Sequence, residues 1–381
     1  MTKNKNLCIT FSFLISLSIL SSCKNIKAYG EQKIDYKSSK ESFLIKNNQM
    51  LITTKINQKI DTLLFDTGAS STTIFNEEII NDGGFISNFK IGAKLPDNSK
   101  IYFQEKKYTI DNNLIHSDNI ILSTLNVPKR ACSNSQMKDI FGNNVFRRNE
   151  KIINLDFEKS SISILDSDES SNLIKDNSYF EIPIKIKSGV YFIINEGKYK
   201  GEYLIDTGNS GASLISNNDK LINKESSEIF EGALFFDASG KTKSNNKTYI
   251  NTINDFPLLE NIKMNIVYFD KFKGNNLGLD FIKRFNWIID FKNNKAYLKL
   301  IDSKDSDKMI LPFSYLCNVE NGKLIICTKN SSKSLFNIGD EIISIGNEKI
   351  SSENLCEKMK QLNQSKNWED LNLVINKTEM K

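Results

Sequence analysis

From Met50 the chain alternates apolar and polar residues, then runs through Leu63-Leu64-Phe65 into Asp66-Thr67-Gly68-Ala69-Ser70. From Val190 it does so again, reaching Tyr203-Leu204-Ile205 and then Asp206-Thr207-Gly208-Asn209-Ser210. Alternation predicts half-buried strands, and an apolar run that breaks into Asp-Thr-Gly predicts a buried strand entering a tight loop. The two stretches keep step. Met50 and Val190 each precede their aspartate by 16 residues. Asp97-Asn98-Ser99-Lys100 and Asp237-Ala238-Ser239-Gly240-Lys241 each begin 31 residues after it, and both read as hairpin tips. Further on, Ile140-Phe141-Gly142-Asn143-Asn144-Val145-Phe146 leads into Ile153-Asn154-Leu155-Asp156-Phe157. The second half answers with Leu277-Gly278-Leu279-Asp280-Phe281 and Ile288-Ile289-Asp290-Phe291. From aspartate to glycine is 76 residues in one half and 72 in the other. Matched landmarks over such a length predict a duplicated β-rich unit.

Polar stretches without an apolar period, Ser167 to Asn172 and Ser303 to Lys308, read as linkers that bound units at 43–166 and 179–302. Residues 23–42 are polar and Lys-rich and read as a flexible tether. Beyond the repeat, Leu324-Ile325-Ile326 predicts a short strand and Leu335 to Ile345 a turn into a second strand, with a turn at Gly346-Asn347 and a short strand at Glu348-Lys349-Ile350. Leu355, Met359 and Leu362 recur at helical spacing before a last strand at Leu371 to Ile375. A small α+β domain over 310–381 follows from this order.

Composition narrows the chemistry. The 381 residues are 39% hydrophobic and 25% charged, which suits a folded body. Lys plus Arg total 51 against 46 acidic residues, a surplus of +5 that is too dilute to imply a nucleic-acid partner. His116 is the one histidine, so multi-histidine metal sites are excluded and a Ser-His-Asp mechanism would rest on it alone. It lies on a polar stretch and reads as a solvated loop residue. No metal or cofactor is expected.

Lys3 and Lys5 precede an apolar run from Leu7 to Leu20, which reads as a signal peptide over residues 1–22. Leu20-Ser21-Ser22-Cys23 resembles the bacterial lipobox, implying cleavage before Cys23 and lipidation of its thiol. Lys24 follows, where an Asp would resemble an inner-membrane retention signal. The expected location is the bacterial cell envelope, lipid-anchored at the outer membrane and facing the periplasm or the surface. Of the remaining cysteines no two form a CxxC pair, and Cys317 and Cys327 could pair in an oxidising compartment.

Paired Asp-Thr-Gly loops, each followed by a hairpin and a hydrophobic-Gly turn, resemble the aspartic peptidases, with units closest in size to the retropepsin-like group. The resemblance covers residues from about 43 to 302. It implies a mostly β fold with two retropepsin-like β-barrel lobes in one chain, so that the site is complete without a second copy. Two carboxylates about 3 Å apart cannot both ionise; one acts as general base on a water while the other donates to the scissile carbonyl. Asp66 and Asp206 would be that pair. Thr67 and Thr207 would lock the loops together, Gly68 and Gly208 would let the backbone approach, and Ser70 and Ser210 complete the loop support. Asp97, Asn98 and Ser99, with Asp237, Ala238, Ser239 and Gly240, would be flaps over an extended peptide. Asp280 matches a Gly-x-Asp pattern of pepsin-like lobes, with Asn144 in its place in the first half, and its expected role is structural.

Ile338-Gly339-Asp340-Glu341-Ile342-Ile343-Ser344-Ile345 resembles the Gly-Asp-x-Ile core of a bacterial PDZ domain, which implies peptide binding by strand addition, although the Gly-rich carboxylate-binding loop is not recognisable. The expected function is an aspartic endopeptidase acting on peptide or protein substrates. The alternative is a non-catalytic peptide-binding lipoprotein that uses the same cleft. A saccharide binder would need aromatic platforms, and Trp287 and Trp368 sit in apolar contexts instead.

Overall fold

The structure, a computed structural model, describes residues 32–94, 100–125, 132, 138–176, 178–216, 227–232, 247–269, 274–306 and 313–377. The first unit runs through β1 (Asp35–Tyr36), β2 (Lys40–Lys46), β3 (Gln49–Ile56), β4 (Lys59–Asp66) and β5 (Thr73–Ile74). After helix α1 (Glu77–Asp82) come three long strands, β6 (Gly84–Lys94), β7 (Lys100–Asp111) and β8 (Ile115–Thr124). It ends in β9 (Ile140–Gly142), the single turn α2 (Asn144–Arg147), and the hairpin of β10 (Ile152–Asp156) and β11 (Ser161–Leu165). Helix α3 (Ser167–Asp176) leads to the second unit. There β12 (Phe180–Ile186), β13 (Val190–Ile194), β14 (Gly201–Ile205) and β15 (Ser213–Ser216) precede β16 (Glu228–Gly232), β17 (Lys247–Ile253) and β18 (Met264–Phe269). The unit closes with β19 (Asn275–Leu277), the turn α4 (Leu279–Ile282), and the hairpin of β20 (Phe285–Asp290) and β21 (Lys295–Leu300).

The repeat in sequence is a repeat of strand order. In the first unit β7, β3, β4, β9, β5 and β8 are neighbours in turn, and β8 pairs back onto β7, so the ring is closed. The second unit places β13, β14, β19, β15, β18 and β17 in the corresponding order, with β16 at the end. Each Asp-Thr-Gly loop leaves a strand that lies parallel to the one carrying the later hydrophobic-Gly turn: Asp66 sits opposite Gly142, and Ile205 opposite Leu277. The strands on either side of both expected flap tips are paired, Lys94 with Lys100 and Glu231 with Lys247. The tips themselves, Asp97 to Ser99 and Asp237 to Gly240, lie outside the described residues.

A six-stranded antiparallel sheet in the order β2, β11, β10, β20, β21, β12 joins the units. Its centre pairs Ile153 with Ile289 and Asn154 with Ile288, the point about which one unit maps onto the other. Every residue of β10 and β20 is buried, as expected for strands covered on both faces. Trp287, wholly buried there, donates its indole N–H to the Ile282 carbonyl at 2.8 Å. One hydrophobic core runs through both units, from Phe43 to Leu298.

Several expectations need correction. The chain enters the fold before residue 43: Asp35 pairs with His116, and Lys40 to Ser42 pair with β11, so the tether cannot extend to 42. Hydropathy hides the start of β2 because the buried member ahead of Phe43 is Glu41, whose carboxylate accepts the Asn113 N–H at 2.9 Å. The polar stretch at Ser167 is a helix, started by a reciprocal cap: Asp166 N–H donates to Glu169 at 3.0 Å and Glu169 N–H to Asp166 at 2.8 Å. His116 is a strand residue of β8, its Nδ1 3.2 Å from the Asp111 carboxylate. Cys317 and Cys327 are free and buried, and the disulfide joins Cys132 to Cys356. Cys317 pairs in register with Ile326, and Cys327 is the extra residue at a register shift, its thiol 3.5 Å from the Leu316 carbonyl. Burial pushes the Cys327 thiol up to about 11.

The tail has its own core around Tyr315, Leu324, Phe336, Leu362 and Trp368. Its elements are β22 (Tyr315–Glu320), β23 (Lys323–Asn330), β24 (Glu341–Ile345), β25 (Glu348–Lys349), helix α5 (Leu355–Gln364) and β26 (Leu373–Asn376). It is fastened to both units. Strand β23 covers the edge of β16, with Phe230 opposite Asn330 and Gly232 opposite Thr328, and Cys356 of α5 is bonded to Cys132. An open strand edge invites stray pairing, and here the chain covers one with its own tail. Gly232, at φ +93°, is needed for this approach, since a Cβ there would strike the Cys327 carbonyl.

Asp139, just before β9, carries a pH-dependent part of the stability. Its Oδ1 accepts the N–H groups of Phe75 at 2.6 Å and Asn76 at 3.0 Å, while burial, with the Asp61 carboxyl beside it, pushes its pKa up to about 7. The folded value exceeds the unfolded one, so its contribution is fully present below the unfolded carboxylate value and is lost as pH rises through about 7. Asp139→Asn keeps the acceptor and removes the titration. The melting temperature of this variant is expected to fall less than that of the wild type between pH 5 and 8, as measured by thermal unfolding; parallel curves would reject the assignment.

Candidate active site

Asp66 is the last residue of β4, and Asp206 follows directly on β14. Because Leu63 and Phe65 of β4 and Tyr203 and Ile205 of β14 are buried, and both strands are held on each side by ladder bonds, their ends are rigid supports for the loops. Each aspartate folds its own loop around one oxygen. Asp66 Oδ1 accepts the N–H groups of Gly68 and Ala69 at 2.8 and 2.9 Å. Asp206 Oδ1 accepts those of Gly208 and Asn209 at 2.9 and 3.1 Å.

The threonines tie the two loops to each other. Thr67 Oγ1 donates to the Ile205 carbonyl and Thr207 Oγ1 to the Phe65 carbonyl, both at 2.7 Å. In return Thr67 Oγ1 accepts the Thr207 N–H at 3.1 Å, and Thr207 Oγ1 accepts the Thr67 N–H at 3.0 Å. Both side chains are fully buried, so four hydrogen bonds cross the interface with no water to compete for them. The glycines make room for the carboxyls: a Cβ on Gly68 would lie 2.6 Å from Asp206 Cγ, and one on Gly208 would run into the Asp66 carboxyl. The structure thus brings Asp66 and Asp206 face to face, within hydrogen-bonding reach of each other. Burial raises the Asp66 pKa well above the usual carboxylate range, and the neighbouring Asp206 carboxyl raises it further; the two backbone N–H groups oppose this without prevailing.

The remaining expected residues fare differently. Ser70 is exposed and Ser210 half-buried, and among the described residues neither makes a hydrogen bond in the loops. Their supporting place is taken by side chains the repeat did not single out. Asn143 donates to the Thr67 carbonyl at 2.7 Å, and Asn276 donates to Asp206 Oδ2. Asn144 accepts from the N–H and hydroxyl of Thr72, at 2.8 and 3.1 Å, which steadies the chain after the first loop. Asp280, its counterpart, forms an ion pair with Lys283 at 2.8 Å. Among the described residues no three His, Cys, Asp or Glu side chains converge to hold a metal.

No family model matches the chain, and no curated protein matches it. Among solved structures the chain is similar to the aspartic proteinase from Irpex lacteus. The identity is 12% and the TM-score 0.42, over 71% of this chain and 99% of that one. So distant a likeness says nothing about the chemistry of this chain.

Proposed function

We propose that the chain is an aspartic endopeptidase. The observation that carries this reading is the pair Asp66 and Asp206, held face to face by crossed threonine hydrogen bonds at the meeting point of two like units. Two carboxyls in one buried site hold one proton between them. In the proposed reaction the carboxylate takes a proton from water, the water oxygen bonds to the scissile carbonyl carbon, and the carboxylic acid gives its proton to the carbonyl oxygen. The tetrahedral diol collapses as the carboxyl that took the water proton gives it to the amide nitrogen, the C–N bond breaks, and a diol hydroxyl returns its proton to the other carboxylate, which restores the pair. Neither histidine nor metal enters these steps. Cleavage of an unfolded protein by the purified chain, lost on substitution of either aspartate, tests the reading. Binding of extended peptides without cleavage at any pH from acid to neutral would favour the peptide-binding lipoprotein.

The anchored location is part of the same proposal and rests on the Leu20 to Cys23 motif. Cys23 lies outside the described residues. Cys23→Ser is expected to release the protein from the membrane fraction, and unchanged fractionation would reject lipidation.

The tail supports a structural role more than capture of a peptide. On the outer edge of β22 the Cys317 N–H donates to Asn363 Oδ1 and the Cys317 carbonyl accepts from Asn363 Nδ2, both at 2.9 Å. A peptide joining that edge, as the PDZ-like resemblance implies, would have to displace Asn363.

A further inference from the structure

The two units match in strand order but not in what surrounds their carboxyls. Asp66 Oδ1 and Asp206 Oδ1 are treated alike, each accepting two backbone N–H groups. The outer oxygens are not. Asp206 Oδ2 accepts a hydrogen bond from Asn276 Nδ2. Asn276 lies opposite Leu204 in the β14–β19 ladder, and the matching place, opposite Leu64 in the β4–β9 ladder, holds Ile140, which has no donor to offer.

The backbone fixes which way the Asn276 amide points. The Gly211 N–H donates to Asn209 Oδ1 at 3.2 Å, and Asn209 Nδ2 donates to the Ala212 carbonyl at 3.1 Å. These two bonds set the Asn209 amide, whose Nδ2 also donates to Asn276 Oδ1 at 2.9 Å. With its oxygen so engaged, Asn276 can present only N–H to Asp206. Asn209 stands three residues after its aspartate, where the first unit has Ala69. Both amides are therefore additions to one side of the pair.

Three N–H donors point at Asp206, and they cover both of its oxygens. Each hydrogen bond donated to a carboxylate favours its ionised form, and Asp66 receives two such bonds among the described residues against three at Asp206. We propose that Asn276 is a positioning residue that keeps Asp206 the ionised member of the pair and leaves the shared proton on Asp66.

Other charged groups near the loops are already engaged. Glu202 of β14 is bound by Lys185 and Lys187, Asp139 before β9 by two backbone N–H groups, and Asp280 of α4 by Lys283. The carboxyl that acts on Asp66 is Asp206. Resting on the endopeptidase reading, this placement makes Asp206 the base that takes the proton from water and Asp66 the acid that donates to the carbonyl.

The test is a pH titration of the whole mature chain carrying 13C at the aspartate carboxyls, with signals assigned through Asp66→Asn and Asp206→Asn. On lowering pH from alkaline, Asp66 is expected to take the first proton and Asp206 the second. Asn276→Leu should raise the step of Asp206 by about one to two pH units, the usual worth of a hydrogen bond to a charged group. Asn209→Ala, which leaves Asn276 in place but frees its amide to turn, should shift the same step less. If Asn276→Leu does not fold, Asn209→Ala decides alone. An unmoved step in the folded variants, or a wild type in which Asp206 takes the first proton, overturns the proposal. The readout needs no cleavage. A chain that shows this titration and cleaves nothing would remove the endopeptidase reading and leave the role of Asn276; normal cleavage with an unmoved step would do the reverse.

Discussion

Asp66→Asn and Asp206→Asn are each expected to lower peptide hydrolysis by about 10²–10⁴-fold, the usual worth of a positioned acid or base. Either change leaves a single ionisable carboxyl, which cannot act as base and hold an acid proton at the same moment. Because the two groups act as a unit, the double variant should be little worse than either single one. The folds should survive, since an amide oxygen can still accept from Gly68 and Ala69, or from Gly208 and Asn209. They should not survive equally. In Asp66→Asn the new N–H can donate to Asp206, whereas in Asp206→Asn it would face the N–H of Asn276. The second variant is therefore expected to be less stable by about 1 kcal/mol, read from denaturant unfolding. Wild-type cleavage in both variants would mean that another site, or another protein, does the work.

Gly208→Ala is expected to lower activity as well, without touching an ionisable group. The added methyl would lie on the Asp66 carboxyl, so the carboxyl must turn away or the loops must part. Parting them stretches the crossed threonine bonds, all between 2.7 and 3.1 Å. Overpacking of this kind costs about 1–3 kcal/mol of stability, and the misplaced carboxyl should lower kcat/KM by about 10²-fold. Gly68→Ala should act alike through Asp206, where the Cβ would lie 2.6 Å from Cγ. Near-normal kcat/KM with a normal melting temperature would show that the carboxyls need not meet.

The duplicated architecture was legible because it is written in residues that recur at fixed distances. Asp66 and Asp206 end apolar runs, and Gly142 and Gly278 follow at nearly equal distances, so the duplication could be read from spacing alone. What the repeat could not reveal is what breaks it. Asn209 and Asn276 matter to Asp206 because Ala69 and Ile140 stand at the matching places, and a search for likeness passes over such differences. Glu41 conceals the start of a strand by being a buried charge with a partner. Asp166 and Glu169 did carry a signal, the reciprocal cap, inside a stretch that looked like a linker. The disulfide between Cys132 and Cys356 spans 224 residues, and nothing local marks either cysteine for the other. The strand pair of β16 and β23 is likewise a meeting of distant segments, permitted by Gly232.

The measurement that bears most directly on the shared proton is the pH dependence of kcat/KM for a peptide substrate with the wild-type chain. One charged and one neutral carboxyl are required, so activity should fall on both sides of an optimum. It falls in acid when the second carboxyl is protonated. It falls again as Asp66 loses the proton that its burial and the Asp206 charge make hard to remove, which places the alkaline limb well above the ordinary carboxylate range. A bell-shaped profile with that upper limb is the expected result; a rate that rises through one ordinary carboxylate ionisation and then stays level to alkaline pH would contradict the shared proton and the mechanism built on it.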